Sequence, residues 1–135
     1  MASGIYNRFK ANLFNGEVDL EADTIKVALL DGNHSFTATH NTWSDVSANE
    51  ISGTGYTAGG EELTNKTVTQ GATTKWDADD VIWSNASFTA YHAVIYDDTL
   101  TGDDLIASID FGEAKQVSNS TFKIAWDAAG IITLS

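Results

Sequence analysis

Residues 88–96 constrain the fold of this chain more than any other segment, because they are largely apolar on both faces of an extended strand. Side chains alternate between the two faces of a strand. One face would carry Phe88, Ala90, His92, Val94 and Tyr96, and the other Tyr91, Ala93 and Ile95. A strand with two largely apolar faces belongs in the interior of a sheet. The segment therefore predicts a central strand.

Seven other short segments show strand-like alternation or a short apolar run, separated by turn-forming residues. They lie at residues 24–30, 63–70, 75–77, 81–83, 105–111, 122–126 and 130–134. About seven or eight short strands are typical of an antiparallel sandwich or barrel. We expect a mainly β protein, an antiparallel β-sandwich with one short N-terminal α-helix.

The helix is predicted at about residues 3–15. Ile5, Phe9 and Leu13 recur at a spacing of four and fall on one helical face. Ser3 can cap the first turn, and Gly16 can end the helix in the left-handed conformation. The other face makes this the only locally basic stretch; it carries Asn7, Arg8 and Lys10.

The chain reads as a single domain over residues 1–135, with the sandwich at about 24–135. A long polar loop is predicted at about 32–60, and loops of this length are often functional. It contains the large side chains of His34, Phe36, His40, Trp43 and Tyr56. We expect an ordered excursion that these side chains hold against the body of the domain.

The charge balance bears on the choice of partner. Seven basic residues stand against nineteen acidic ones, which gives a formal net charge of -12. Proteins that bind nucleic acid use clustered Lys and Arg, so direct binding to nucleic acid or to an anionic membrane is not expected. No segment approaches the ~20 apolar residues that span a bilayer. The acidic surface fits either solubility or docking onto a basic partner.

No residue pattern predicts an active site. His34 and His40 are six residues apart and match no strong metal-ligand spacing, and there is no cysteine. The acidic residues at 77–80 and 97–104 lack the spacing of a calcium loop and read as solvated turns. No Gly-x-Ser-x-Gly elbow or phosphate-binding loop occurs. We therefore predict no catalytic residue, no metal and no cofactor, and a protein that is not an enzyme.

Several stretches, in order along nearly the whole chain, resemble a known family. They are GIYNRFK at 4–10, DTIKVALL at 23–30, GTGYTAGG at 53–60, DADDVIWS at 77–84, AVIYDD at 93–98, IDFG at 109–112 and AWDAAGII at 125–132. The chain is similar to small virion structural proteins of tailed bacteriophages and prophages. This resemblance brings no catalytic motif with it.

The resemblance implies a capsid decoration, or cement, protein. Such a protein is made in the host cytoplasm, sits on the outer capsid surface of the virion, binds the major capsid protein and can form a homo-oligomer, here expected as a trimer. The alternatives are a tail or head-fibre component, or a host-facing carbohydrate-binding adhesion module.

Two regions are the predicted contact surface for a partner. One is the N-terminal segment with Tyr6, Arg8 and Lys10, and the other is the long loop with Phe36, Trp43 and Tyr56. Exposed aromatic residues anchor interfaces or stack on sugars. The competing interpretation is that the loop aromatics hold the loop to the core.

Overall fold

The computed structural model of the protein describes residues 3–135, so Met1 and Ala2 of the predicted domain lie outside it. These residues form eight strands and one α-helix, and the prediction of a mainly β fold is confirmed. The elements are β1 Gly4–Ile5, α1 Asn7–Asn15, β2 Ile25–Leu30, β3 Glu61–Glu62, β4 Thr67–Thr69, β5 Thr74–Asp77, β6 Val81–Asp97, β7 Asp104–Ile124 and β8 Ile132–Leu134. Two single turns of 3-10 helix lie in the long loop, at Trp43–Asp45 and Ser47–Asn49.

Two antiparallel sheets make up the fold. The larger has the strand order β1-β7-β6-β2-β3, and the smaller has the order β4-β5-β8. The long hairpin of β6 and β7 dominates the larger sheet. The predicted central strand at 88–96 lies within β6, between β7 and β2, and is confirmed as central.

The larger sheet buries a different set of side chains on each face. On one face, Val27 and Ile95 share a buried cluster with Trp76 of the smaller sheet, which gives the sandwich its core. On the other face, Leu30 and Tyr96 share a separate cluster with residues of the long loop and of the segment before α1. The long loop therefore acts as the second cover of the sheet.

Strands β6 and β7 are each longer than predicted, because each joins two segments that the sequence pattern predicts as separate strands. The pairing register shifts at several points along the hairpin. Asn85, Gly112 and Asn119 have positive φ angles of 50, 81 and 48° along these strands. A bulge inserts an unpaired residue and interrupts the alternation without ending the strand. Trp126, predicted in a strand, lies beyond β7 and donates its indole N–H to the Asp79 carbonyl oxygen at 3.0 Å.

Helix α1 begins at Asn7 and not near residue 3 as predicted. Gly4 and Ile5 instead pair with Ser108 and Ala107 of β7, because the edge of that strand supplies partners for their backbone groups. The predicted end is confirmed, since Gly16 closes the helix at a φ of 67°. Within residues 3–135, no helix combines the length and apolar character needed to cross a membrane.

Candidate binding surface

The N-terminal segment and the first part of the long loop meet in the structure. The Asn7 N–H donates to the Ala38 carbonyl oxygen at 3.0 Å, so the start of α1 is fastened to the loop. The Trp43 N–H donates to the Asp103 carbonyl oxygen at 2.9 Å, which fastens the loop to the turn between β6 and β7. Three segments that are far apart in sequence therefore form one surface: the start of α1, residues 37–45 and the 98–104 turn. We call it the helix–loop surface.

Asp104 lies beside the basic residue of the helix–loop surface. Its carboxylate accepts a hydrogen bond from the Asn12 side-chain amide at 2.8 Å and lies 3.9 Å from the Arg8 Nε atom. The Arg8 side chain is 42 % exposed, whereas that of Asp104 is 15 % exposed. Because a guanidinium group has five N–H donors, Arg8 keeps donors free for a partner while it lies close to Asp104.

Lys10 is exposed but lies on a different side of α1. Two residues along a helix correspond to a rotation of about 200°, so Lys10 and Arg8 point in different directions. Lys10 makes no ion pair with another residue of the described chain. The two basic residues are close in sequence but lie on different sides of α1.

Tyr6 is a correction to the predicted contact surface, because the structure buries it completely. Its ring lies 5.0 Å from that of Phe36, between the larger sheet and the long loop. Burial raises the pKa of Tyr6 to about 12, with the neighbouring Ser108 hydroxyl acting in the opposite direction. Tyr6 presents no surface to a partner, and Phe36 is half-buried against it.

Trp43 packs one face of its ring against the domain itself. Its ring stacks on Tyr96 of β6 at a centroid distance of 4.8 Å and an angle of 14°. The turn that carries it is closed by the Asp45 carboxylate, which accepts hydrogen bonds from the N–H groups of Asn41 at 2.8 Å and Thr42 at 3.1 Å. These two N–H groups lower the pKa of Asp45. The first part of the loop is therefore an ordered layer on the sheet.

Tyr56 lies apart from the helix–loop surface, on the opposite face of the larger sheet. Its hydroxyl donates to the Glu50 carboxylate at 2.7 Å and accepts from the Leu29 N–H at 3.1 Å. Its ring packs near Trp83 and Phe88, at centroid distances of 6.3 and 6.0 Å. Phe36, Trp43 and Tyr56 all pack against the domain. This agrees with the interpretation that the loop aromatics hold the loop to the core.

A buried polar cluster lies beneath the long loop. The His34 Nε2 atom is 3.0 Å from the Ser108 Oγ atom, and the rings of His34 and His92 meet edge to face at 4.9 Å. The His92 Nδ1 atom is 3.8 Å from the Asp110 carboxylate. His34 is only 2 % exposed, because the loop folds back over the sheet.

Burial sets the protonation of this cluster. Desolvation, with smaller contributions from the neighbouring His92 and His40, lowers the pKa of His34 to about 4. Desolvation also lowers the pKa of His92, although the Asp110 carboxylate opposes the shift. Both imidazoles are therefore neutral near pH 7.

The chemistry of this cluster is limited by access. A serine beside a histidine is the core of a nucleophilic pair. Here Ser108 is 1 % exposed and His34 is 2 % exposed, so a substrate has no route to the pair in this conformation. The place of His92 on the predicted central strand was the signal for its burial, and the signal for His34 was its size among the small polar residues of the loop.

The acidic residues around 97–104 are not all solvated, contrary to the sequence prediction. Asp97 is completely buried at the end of β6 and accepts a hydrogen bond from the Thr99 N–H at 2.9 Å. Burial, together with the Asp23 carboxyl group, raises the pKa of Asp97 to about 7. Within residues 3–135, no group of three or more His, Cys, Asp and Glu side chains is arranged to hold a metal ion.

Comparison with known proteins gives no relative. No protein-family model, no curated protein and no solved structure matches the chain.

Proposed function

We propose that the protein is a virion structural protein of a tailed bacteriophage, and that it acts as a capsid decoration (cement) protein. Its partner would be the major capsid protein at the outer surface of the shell. The sequence resemblance supports the class of protein. The observation that carries the proposed contact is the helix–loop surface, in which α1, residues 37–45 and the 98–104 turn adjoin.

Arg8 is the central residue of the proposed contact. It is the only arginine in the chain, and it lies beside Asp104 at the edge of this surface. A carboxylate on the capsid could accept two hydrogen bonds from the free side of the guanidinium group. The acidic turn beside it, with Asp98 and Asp103, would suit basic residues on the capsid.

The proposed mechanism is cementing. Each copy would bury part of its surface against neighbouring capsid subunits, so that removal of one subunit requires the contacts to the others to break as well. Attachment at several points raises avidity without any single strong contact. Binding to the assembled shell and not to its free subunits stabilises the shell by mass action.

Co-sedimentation with empty shells of the phage or prophage that encodes the chain tests this function. The purified protein should pellet with the shells up to a fixed ratio to the major capsid protein, and it should raise the temperature at which the shells break. Shells that pellet without the protein at every concentration would exclude the proposal. Labelled protein found on tails and absent from heads in micrographs would favour the tail alternative.

Point substitutions test the contact better than truncation, because deletion of residues 2–12 would remove Tyr6 and Phe9 from the core. We expect Arg8→Gln to raise the protein concentration that half-saturates the shells by about tenfold, as for the loss of one charged contact. Lys123→Gln is the matched control. Lys123 is also about half exposed, and it also pairs with one carboxylate, that of Asp80 at 3.3 Å.

The carbohydrate-binding alternative finds little free aromatic surface in the long loop. Sugar stacking needs a free aromatic face. Trp43 is stacked on Tyr96, and Tyr56 is fixed by hydrogen bonds to Glu50 and Leu29. Binding to a glycan array by the wild type, abolished by Trp43→Ala, would restore this alternative.

A further inference from the structure

All three histidines of the chain meet at one place, beneath the first part of the long loop. They are His34, His40 and His92. The rings of His34 and His92 lie 4.9 Å apart, and His40 is close enough for its charge to lower the pKa of His34. The Nδ1 atoms of His40 and His92 are buried and have no hydrogen-bond partner within residues 3–135. Water can reach these two atoms only when the loop moves.

The part of the loop that covers the cluster is held between two fixed points. At one end, the Asp31 N–H donates to the Asn49 carbonyl oxygen at 2.8 Å. At the other end, the Leu105 N–H donates to the Asn41 carbonyl oxygen at 2.9 Å, which ties the loop to β7. We call the segment between these points, residues 32–40, the His34 flap.

Few contacts hold the His34 flap between its ends. In the described chain, two hydrogen bonds join it to other elements. The Asn7 N–H of α1 donates to the Ala38 carbonyl oxygen at 3.0 Å, and the His34 Nε2 atom lies 3.0 Å from the Ser108 Oγ atom of β7. Segments with few contacts can open while the rest of a domain stays folded. One of the two hydrogen bonds that hold this segment therefore depends on an imidazole.

The groups around His34 and its partner Ser108 leave the imidazole neutral while the flap is closed. Desolvation is the strongest influence, and it outweighs the attraction of the two nearby carboxylates, so the pKa falls from 6.5 to about 4. A tyrosine hydroxyl beside Ser108 is neutral too, because burial raises its pKa to about 12. The titratable groups that face this contact are Asp31 after β2, His40 of the flap, Tyr6 before α1, His92 of β6 and Asp110 of β7.

We propose that the His34 flap is a pH-sensitive cover, which stays closed over the larger sheet near neutral pH and opens when His34 takes up a proton. In the closed flap the new charge would lie beside His92, away from water, whereas in the open flap water solvates the imidazolium ion. The rest of the sheet stays paired, because the ladders of β2, β6 and β7 contain no residue of the flap. This inference does not rest on the proposed capsid function.

Opening changes the helix–loop surface. The flap contributes residues 37–40 to this surface, and its Phe36 ring lies over that of Tyr6 at 5.0 Å. When the flap opens, the hydrogen bond between Asn7 and Ala38 breaks and the Tyr6 ring loses its cover. Acid therefore removes part of the surface that lies beside α1 and uncovers an aromatic ring in its place.

The size of the effect follows from proton linkage. The open flap binds a proton at His34 with the ordinary pKa of 6.5, and the closed flap binds it with a pKa of about 4. The open form therefore takes up protons first as the pH falls, and the closed form is favoured above pH 6.5. From pH 7 to pH 5, the ratio of open to closed molecules should rise about twentyfold through His34.

Native-state hydrogen exchange, followed by NMR at single amides, tests the opening. The protection factor of the Asn7 N–H, corrected for the intrinsic effect of pH, should fall about twentyfold from pH 7 to pH 5. Low concentrations of urea should leave it unchanged, because a local opening exposes little surface. Amides at the centre of β6 should respond to urea. An Asn7 amide with the same urea response as β6 would report global unfolding and would overturn the proposal.

Two substitutions separate His34 from the other histidine of the flap. His34→Gln gains no charge in acid, and its amide can still donate to Ser108, so the pH dependence at Asn7 should disappear. His40→Gln is the matched control and should keep most of it. Equal pH dependence in the wild type and in His34→Gln would overturn the proposal.

The ring C–H signals of His34 in the wild type give a reading that needs no variant. They should titrate with a pKa far below 6.5 while the Asn7 N–H stays protected. A pKa near 6.5 for a flap that remains closed would contradict the proposal. Every measurement uses the chain alone, so its failure leaves the capsid experiments unaffected.

Discussion

His34 and Ser108 form a contact of 3.0 Å between side chains that are both almost fully buried. The contact joins the long loop to β7 from beneath, where neither residue meets solvent. His92 and Asp110 extend it along the hairpin. The packing of the long loop over one face of the larger sheet therefore depends on imidazoles that stay neutral. The stability of the fold should depend on pH for this reason.

Acid should weaken the protein through His34. Its pKa is lowered by burial from 6.5 to about 4, so the unfolded chain takes up a proton at a higher pH than the folded one. The stability is complete above pH 6.5 and falls as the pH drops towards 4. From pH 7 to pH 5 the loss through this residue is about 2 kcal/mol. Urea unfolding at both pH values should show a larger drop in the free energy of unfolding for the wild type than for His34→Gln.

The comparison with His34→Gln is needed because Asp97 acts in the opposite direction over the same pH range. Asp97 is present in both proteins, so its contribution cancels. Equal pH dependence in the two proteins would mean that His34 titrates normally. That result would contradict a pKa of His34 that is lowered by burial beneath the loop.

Asp97→Asn should stabilise the protein at alkaline pH. Burial and the Asp23 carboxyl group raise the pKa of Asp97 from 3.8 to about 7. A raised pKa contributes stability at low pH that is lost as the pH rises through 7. The neutral amide avoids this loss and can still accept the Thr99 hydrogen bond. We expect a gain of about 1–3 kcal/mol at pH 8 and little change at pH 4, from urea unfolding.

Asp98→Asn is the control for this prediction. Asp98 is the next residue, but it is exposed and pairs with Lys26 at 3.5 Å. Its replacement should give no gain at pH 8. A similar gain in both variants would point to the general reduction in negative charge and not to burial.

Trp43→Ala should loosen the first part of the loop. The substitution removes the ring stacked on Tyr96 and leaves a space over the sheet. A loss of about 2–4 kcal/mol is typical of removing a packed aromatic side chain. Hydrogen exchange should accelerate at the N–H groups of residues 42–51. Trp43→Phe keeps a ring at this position and should lose less; equal losses would argue that the stack does not hold the loop.

Gly60→Ala should be among the most damaging single changes. Gly60 has a φ of 85°, and a Cβ atom there would collide with the backbone of Val27 and Ala28. We expect a loss of about 3–5 kcal/mol from the clash and the backbone strain together. Gly112 separates the two effects, since its φ is 81° and nothing lies within 4 Å of its Cβ position. Gly112→Ala should lose only about 1–2 kcal/mol in thermal unfolding.

The sequence was informative where local pattern decides the structure. Two apolar faces identified the central part of β6, and a glycine after a helical pattern identified the end of α1. The lengths of β6 and β7 could not be read in this way. Bulges at residues such as Asn119 break the alternation that marks a strand, while the partner strand continues the pairing.

The candidate site was predicted less well, because burial there depends on distant pairing. Tyr6 stands beside Asn7 and Arg8 and looks like an exposed aromatic residue. It is buried because Ile5 pairs with Ala107 and the loop then closes over it. Asp97 likewise looks like part of a polar turn when only the sequence is considered. Only the folded chain brings Asp23 close to it.

The strand order has a consequence for biosynthesis. Strand β2 pairs with β6 along its whole length, but before β6 is made its available partner is the two-residue β3. At about 5–20 residues per second, a ribosome needs several seconds to travel from Leu30 to the end of β7. During that interval the nascent chain exposes an apolar strand without its main partner. Chaperone contact with the growing polypeptide should therefore concentrate on residues 25–30 and cease when the hairpin has emerged.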